Sequence, residues 1–423
     1  MLKLHTLQNG LRVVLVPLKE SNSVTILKGY AVGSRNETPA NAGASHFIEH
    51  MMFKGAKKYK TAKEISKALD ALGAGYNAYT AKDHTAFYVK VASVHFKKAA
   101  DIFFDMLYHA HFNQEDFERE RGVILQEIKM YEDNPSSYVD TVFEEACFAN
   151  TSLAKDIIGT TESIKKMTQQ DLVSHMERHY NDKHSVLVIA GKYPSNILTL
   201  LKKWVPKSQT WKSHEPYQVE LQDIKGPRVA HFKKKVEQVP LGLGFRGVGY
   251  NHKDSHIYNL ICTYLGGGMS SELFHELREK KGLCYYVSMH PSLYKDTGSV
   301  LITAGVNKTQ VQDSVRVIVD VIRTFVKNGI TKQALEETKS QMIGRYLLAL
   351  ENNEVHAESY MKRILVGGEI LTPQQRIKRI TKITRGDILR VSRQLFKKSN
   401  AILALVDEKI NESQLLKELQ RLP

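Results

Sequence analysis

Cysteine is scarce in this 423-residue chain. The three present, Cys147, Cys262 and Cys284, are odd in number and far apart. That argues against a disulfide framework and against a cysteine-held metal. Long apolar runs are missing as well: no stretch approaches the ~18 residues that a membrane span needs. The start lacks the layout of a signal peptide, because Leu2 to Pro17 reads as a strand, an Asn9-Gly10 turn and a second strand. The expected compartment is therefore a reducing cytoplasm. Acidic residues are in deficit, 45 against 60 basic ones, for a formal net charge of +15. The excess is scattered (Lys54 to Lys58, Lys233 to Lys235, Arg278 to Lys281) and no nucleic-acid motif accompanies it. It reads as a solvated lysine surface, with at most a bias toward acidic peptides.

What is there fits a globular protein: 42% hydrophobic and 25% charged residues, at a length that suits two domains of about 200 residues. A polar, aperiodic stretch from Pro206 to Pro227 separates two halves, giving expected domains at 1–215 and 216–423. In the first half, strands near 11–17 and 23–33 precede a helix over 44–54. A second helix over 61–72 opens on the capping box Thr61/Glu64 and stops at Gly73. A hairpin follows at 76–80 and 85–91, then long helices at 94–110 and 114–132. The second half repeats that order. Strands near 228–236 and 242–248 lead to a helix over 255–265, a break at Gly266 to Gly268 and a helix over 270–281. Strands at 284–290 and 298–305, four further helices and a closing strand at 401–406 complete it. The fold class is α+β, two similar domains, each a mainly antiparallel sheet packed with helices. The order of elements points to a duplicated unit.

The chemistry is concentrated in His46-Phe-Ile-Glu-His50. Residues four apart on a helix share a face, so His46 and His50 can chelate one ion. Glu49 borders that face, within reach of a water at the metal as general base. Imidazole and carboxylate donors favour zinc over calcium or magnesium. A third protein ligand is needed, and the acidic helix from Glu115 to Glu127 is the best source. Glu120 and Glu127 lie two turns apart on one face, yet spacing alone does not choose between Glu118, Glu120 and Glu127. The matching position in the second half, Ser255 to Cys262, carries no metal motif.

With its H-x-x-E-H signature the chain resembles the inverzincins of the pitrilysin/insulinase superfamily. Four blocks, in order, carry the resemblance: His46 to Gly55, Asn77-Ala-Tyr-Thr80, Glu120 to Glu127, and Leu265 to Tyr285. The two-domain length is similar to the processing-peptidase branch. The resemblance implies that Glu127 is the third zinc ligand and that Glu120 supports the site from behind. It also implies that Asn77 and Ala78 lie on a substrate-binding edge strand, and that Arg278 and Tyr285 contact substrate and its oxyanion. Cys284 stands where an alanine is more familiar, and Tyr286 doubles the aromatic. The expected activity is a zinc metalloendopeptidase with one Zn2+ per chain, acting on peptides or unfolded polypeptides. Half of a clamshell chamber is implied, hence a homodimer. The family also contains non-catalytic structural subunits, which typically lose part of the metal motif, whereas this chain keeps all of it. A specialised maturation enzyme for one precursor peptide is the remaining alternative.

Overall fold

The computed structural model describes residues 2–207, 220–224 and 226–423. Strands β1 (Lys3–Thr6), β2 (Arg12–Pro17), β3 (Ser23–Tyr30), β4 (Gly75–Thr80), β5 (Thr85–Ala92) and β6 (Ser185–Gly191) form one sheet, ordered β1-β2-β6-β3-β5-β4. A second sheet is built from β7 (Arg228–Lys233), β8 (Gln238–Val248), β9 (Cys284–Leu293), β10 (Thr297–Asn307) and β11 (Ala401–Asp407), ordered β7-β11-β8-β10-β9. Each sheet has one parallel pair, β2 with β6 and β11 with β7, and is otherwise antiparallel. Without β1 the two topologies are identical. The chain is an α+β protein of two similar sheet-and-helix units.

The inner strands are buried on both faces, so they read as almost unbroken apolar runs. On one face of the first sheet Val13, Leu15, Val24, Ile26 and Phe87 pack with Phe47, Ile48 and Met51 of the Ala44–Met51 helix. On the other, Val14, Val16, Leu27 and Val188 meet Ala357, Met361 and Ile364 of the Asn353–Leu365 helix. Burying each such side chain contributes roughly 1.5–3 kcal/mol.

That second helix comes from the far end of the sequence, and the exchange is mutual. One compact unit comprises the first 128 residues, the segment from Lys155 to the undescribed stretch, and Ala349–Ile370. The other takes Lys129–Ala154, whose Pro135–Cys147 helix packs on β8 and β11. Each sheet admits its borrowed helix at a glycine. A Cβ at Gly29 of β3 would lie 2.5 Å from Met361 Cγ, and one at Gly244 of β8 would collide with the Phe143 ring. The contiguous division into 1–215 and 216–423 is therefore corrected: 129–154 and 349–370 change places, because a helix joins whichever sheet face buries its apolar stripe. The expected boundary at 215/216 itself lies outside the described residues. No helix among the described residues is long and apolar enough to cross a membrane.

Candidate metal centre

The Ala44–Met51 helix starts at Gly43, whose φ of 93° and closeness to the Ile158 carbonyl exclude a side chain. It has no side-chain N-cap of its own. Buried Glu37 takes that role from a distance, accepting the Gly43 N–H at 2.6 Å and the Ser45 N–H at 2.7 Å. His175 braces the same turn, with Nε2 3.2 Å from Ser45 Oγ and Nδ1 3.2 Å from Asn41 Nδ2. Apolar Phe47, Ile48 and Met51 are buried, which leaves His46, Glu49 and His50 half-buried on the opposite face.

The Gln114–Glu132 helix lies alongside. Phe117 stacks on Phe47 at 4.8 Å between centroids and 4° between planes, which fixes the register of the two helices. Glu120, Ile124 and Glu127 then share the inward face. Donor atoms of His46, His50 and Glu127 all lie within 4.8 Å of one another, the one such group among the described residues. Glu127 Oε2 is 3.8 Å from His46 Nε2 and 3.5 Å from His50 Nε2. Tetrahedral zinc with ligand bonds near 2.0–2.1 Å needs donors about 3.3 Å apart, so the set fits with small side-chain adjustments. Glu118 is turned away, paired with Arg121 at 2.9 Å. Glu120 sits behind His50, its Oε2 3.1 Å from Nδ1, while its Oε1 takes Lys54 Nζ at 2.6 Å. That contact holds the His50 ring with Nε2 toward Glu127. The Nδ1 of His46 is buried without a hydrogen-bond partner.

These neighbours polarise the site. Burial, assisted by the charge of His50, lowers the His46 pKa to about 4, so His46 is neutral, as a ligand must be. Burial also acts against a charged His50, but its hydrogen bonds to Glu120 and Glu127 outweigh it and raise the pKa to about 9. A cation seated here competes with that proton. The hydrogen bond from His50 lowers the Glu127 pKa. Glu120 is lowered too: burial opposes this, but His50 and Lys54 prevail. Burial raises the pKa of Glu49, partly offset by a hydrogen bond from Thr80.

Asn77 and Ala78 lie on β4, the edge of the first sheet, where Asn77 is exposed and the Ala78 N–H donates to Asn77 Oδ1 at 2.9 Å. Arg278 and Tyr285 belong to the second unit and are neighbours there: the guanidinium lies 4.8 Å from the Phe274 ring and 5.4 Å from that of Tyr285. Arg278 sits in a π-helical turn, Phe274–Glu279, inside the segment expected as an ordinary helix. Sequence reasoning missed Glu37, His175, Lys54 and Thr80. Of these Lys54 and Thr80 stood inside recognised blocks, with no role assigned to either.

Comparison with known proteins identifies the family. Residues 13–161 match the family model described as Insulinase (Peptidase family M16), and 166–342 the model described as Peptidase M16 inactive domain. The chain is 35% identical to an uncharacterised zinc protease of Bacillus subtilis over 96% of this chain and 98% of that one. Its fold is similar to the crystal structure of a protease from Helicobacter pylori, with a TM-score of 0.88, 24% identity, and coverage of 96% and 99% of the two chains. It also resembles the periplasmic protease PqqL of Escherichia coli, with a TM-score of 0.80 and 19% identity, covering 99% of this chain and 50% of that one. With both family models matched in order and a relative of this identity aligned almost end to end, the chain belongs to peptidase family M16.

Proposed function

We propose that the protein is a zinc metalloendopeptidase that cuts small or unfolded polypeptides bound as an added strand. The observation that carries this reading is the convergence of His46, His50 and Glu127 within 4.8 Å, beside a Glu49 that is not part of the set. These three residues would hold one Zn2+ per chain. When bound, the ion supplies a Lewis acid that polarises the scissile carbonyl and acidifies a water. Glu49 takes the proton from the attacking water and hands it to the leaving amine, and its burial-raised pKa suits both transfers. Glu120 keeps the His50 ring oriented.

The substrate lies extended along the β4 edge at Asn77 and Ala78, held by backbone hydrogen bonds that tolerate many sequences. Arg278 and Tyr285 contact substrate, and the Tyr285 O–H stabilises the developing oxyanion. Tyr285 is 72% exposed, which leaves its ring and O–H open to a bound ligand. Because one chain covers half of a longer solved chain of the same fold, we assign a homodimer with closed two-fold symmetry. The test is metal content and cleavage of an unstructured peptide by the purified chain. About one zinc per chain, with cleavage abolished by chelation and restored by zinc, is expected. A fully zinc-loaded chain that cuts no flexible peptide from a diverse set would overturn the reading.

A further inference from the structure

Thr80 is the last residue of β4, and its side chain points at the base. Oγ1 donates to Glu49 Oε2 at 2.7 Å. The Ser45 carbonyl is 3.5 Å from the same hydroxyl. A hydroxyl has one proton to give, and the shorter, charge-assisted bond takes it. No other side chain among the described residues hydrogen-bonds Glu49.

The surrounding turn is not free to move this hydroxyl away. Ala81 N–H closes on His84 O at 2.8 Å, while Ser34 N–H and Arg35 N–H reach Ala81 O and Lys82 O at 3.2 and 3.1 Å. Arg35 forms an ion pair with Asp83, largely buried. At Gly33 an added Cβ would come within 2.6 Å of the Lys82 carbonyl, so the two segments touch backbone to backbone. The same segment ends at Glu37, which accepts the Gly43 and Ser45 N–H groups at the start of the helix that carries Glu49. Residues 33–37 thus tie the Thr80 turn and the Glu49 helix to one support.

We propose that Thr80 is the positioning residue of the base. It holds Oε2 of Glu49 in one orientation and leaves Oε1 to exchange the proton. Since Thr80 ends the strand on which substrate adds, the base is kept in register with the substrate backbone. This role rests on the peptidase reading above and deepens it.

The experiment compares zinc-loaded wild type, Thr80→Val and Thr80→Ser on one flexible peptide, with crystal structures of each. Valine keeps the shape and removes the donor; serine keeps the donor. Thr80→Val should bind zinc fully, keep KM within about twofold and lose about 10- to 100-fold in kcat. Thr80→Ser should stay within about threefold of wild type in kcat. In crystals of Thr80→Val the Glu49 carboxylate should occupy more than one orientation, a readout that needs no turnover. Wild-type kcat with a singly oriented Glu49 in Thr80→Val would overturn the role. So would a Thr80→Ser enzyme as slow as Thr80→Val despite full zinc and an unchanged melting temperature. If zinc-loaded wild type cuts no peptide while Glu49 is disordered in Thr80→Val alone, the peptidase reading fails and the positioning role stands.

Discussion

The two units place a helix at the same point of the same topology and use it differently. Ala44–Met51 follows β3 and Ser255–Gly266 follows β8, the equivalent strand. The first buries Phe47, Ile48 and Met51 and keeps a half-buried polar face of two histidines and a glutamate. The second buries Ile257, Tyr258, Leu260, Ile261, Cys262 and Leu265, and contributes to no metal-sized donor group among the described residues. Apolar pattern and a well-placed glycine are enough to reproduce the fold. Chemistry needs the additional cost of polar groups held short of solvent, and that cost appears in one copy only. The second unit offers instead an exposed Tyr285 beside Arg278.

The sharpest way to break this contrast is Glu49→Gln. It should retain about one zinc per chain while losing at least ~10³-fold in turnover, because base and proton carrier are one group. His50→Ala should lose the metal as well, measured by atomic absorption. Near-normal cleavage by Glu49→Gln would end the assignment of chemistry to the first unit.

The contribution of the second unit can be tested by mixing. Glu49→Gln and the double variant Arg278→Ala/Tyr285→Phe should each be nearly inactive. If the proposed homodimer pairs Glu49 of one chain with Arg278 and Tyr285 of its partner, half the dimers after subunit exchange are mixed and carry one intact site of two, and about a quarter of wild-type activity returns. Exchange demonstrated by mass spectrometry without recovered activity would show that the two sets do not complement across chains.

Much of this contrast was legible in the sequence, and its gaps have physical causes. The H-x-x-E-H spacing placed His46, Glu49 and His50 on one helix face because helical periodicity is local. Spacing left Glu118, Glu120 and Glu127 open, since the choice depends on the register set by the Phe47–Phe117 stack, 70 residues apart in sequence. The exchanged helices were hidden for a similar reason: amphipathicity says that a helix will bury one face, not against which sheet. The π-turn at Phe274–Glu279 leaves no mark in residue spacing. Glu37 went unnoticed because it caps a helix that begins seven residues later, beyond the reach of any capping motif.

The glycines that admit the borrowed helices compare the units on stability. Gly244→Ala should cost about 2–3 kcal/mol, because the added carbon meets the rigid, fully buried ring of Phe143. Gly29→Ala should cost about 1 kcal/mol, since Met361 can rotate aside. Urea midpoints at constant slope would measure both, and the reverse order would show that the first sheet is the less forgiving.

The smallest expected effect concerns Glu37. Burial raises its pKa from 4.5 to about 7, although the two backbone N–H groups and Lys155 favour the charged form. With the folded pKa above the unfolded one, the folded state binds the proton more tightly. The stabilisation is complete below about pH 4.5 and is lost as pH rises through about 7. Other groups titrate in the same window, so the difference between wild type and Glu37→Gln is the informative quantity. Glutamine has no proton to lose, and its amide accepts at one N–H only, so the variant should be less stable at every pH. Its deficit should be larger at pH 5 than at pH 7.5, where the wild type has given up its protonated-state advantage. A deficit that instead grows from pH 5 to pH 7.5 would mean that the ionised carboxylate is the better partner for the helix start. The Gly43 and Ser45 N–H groups would then dominate over burial.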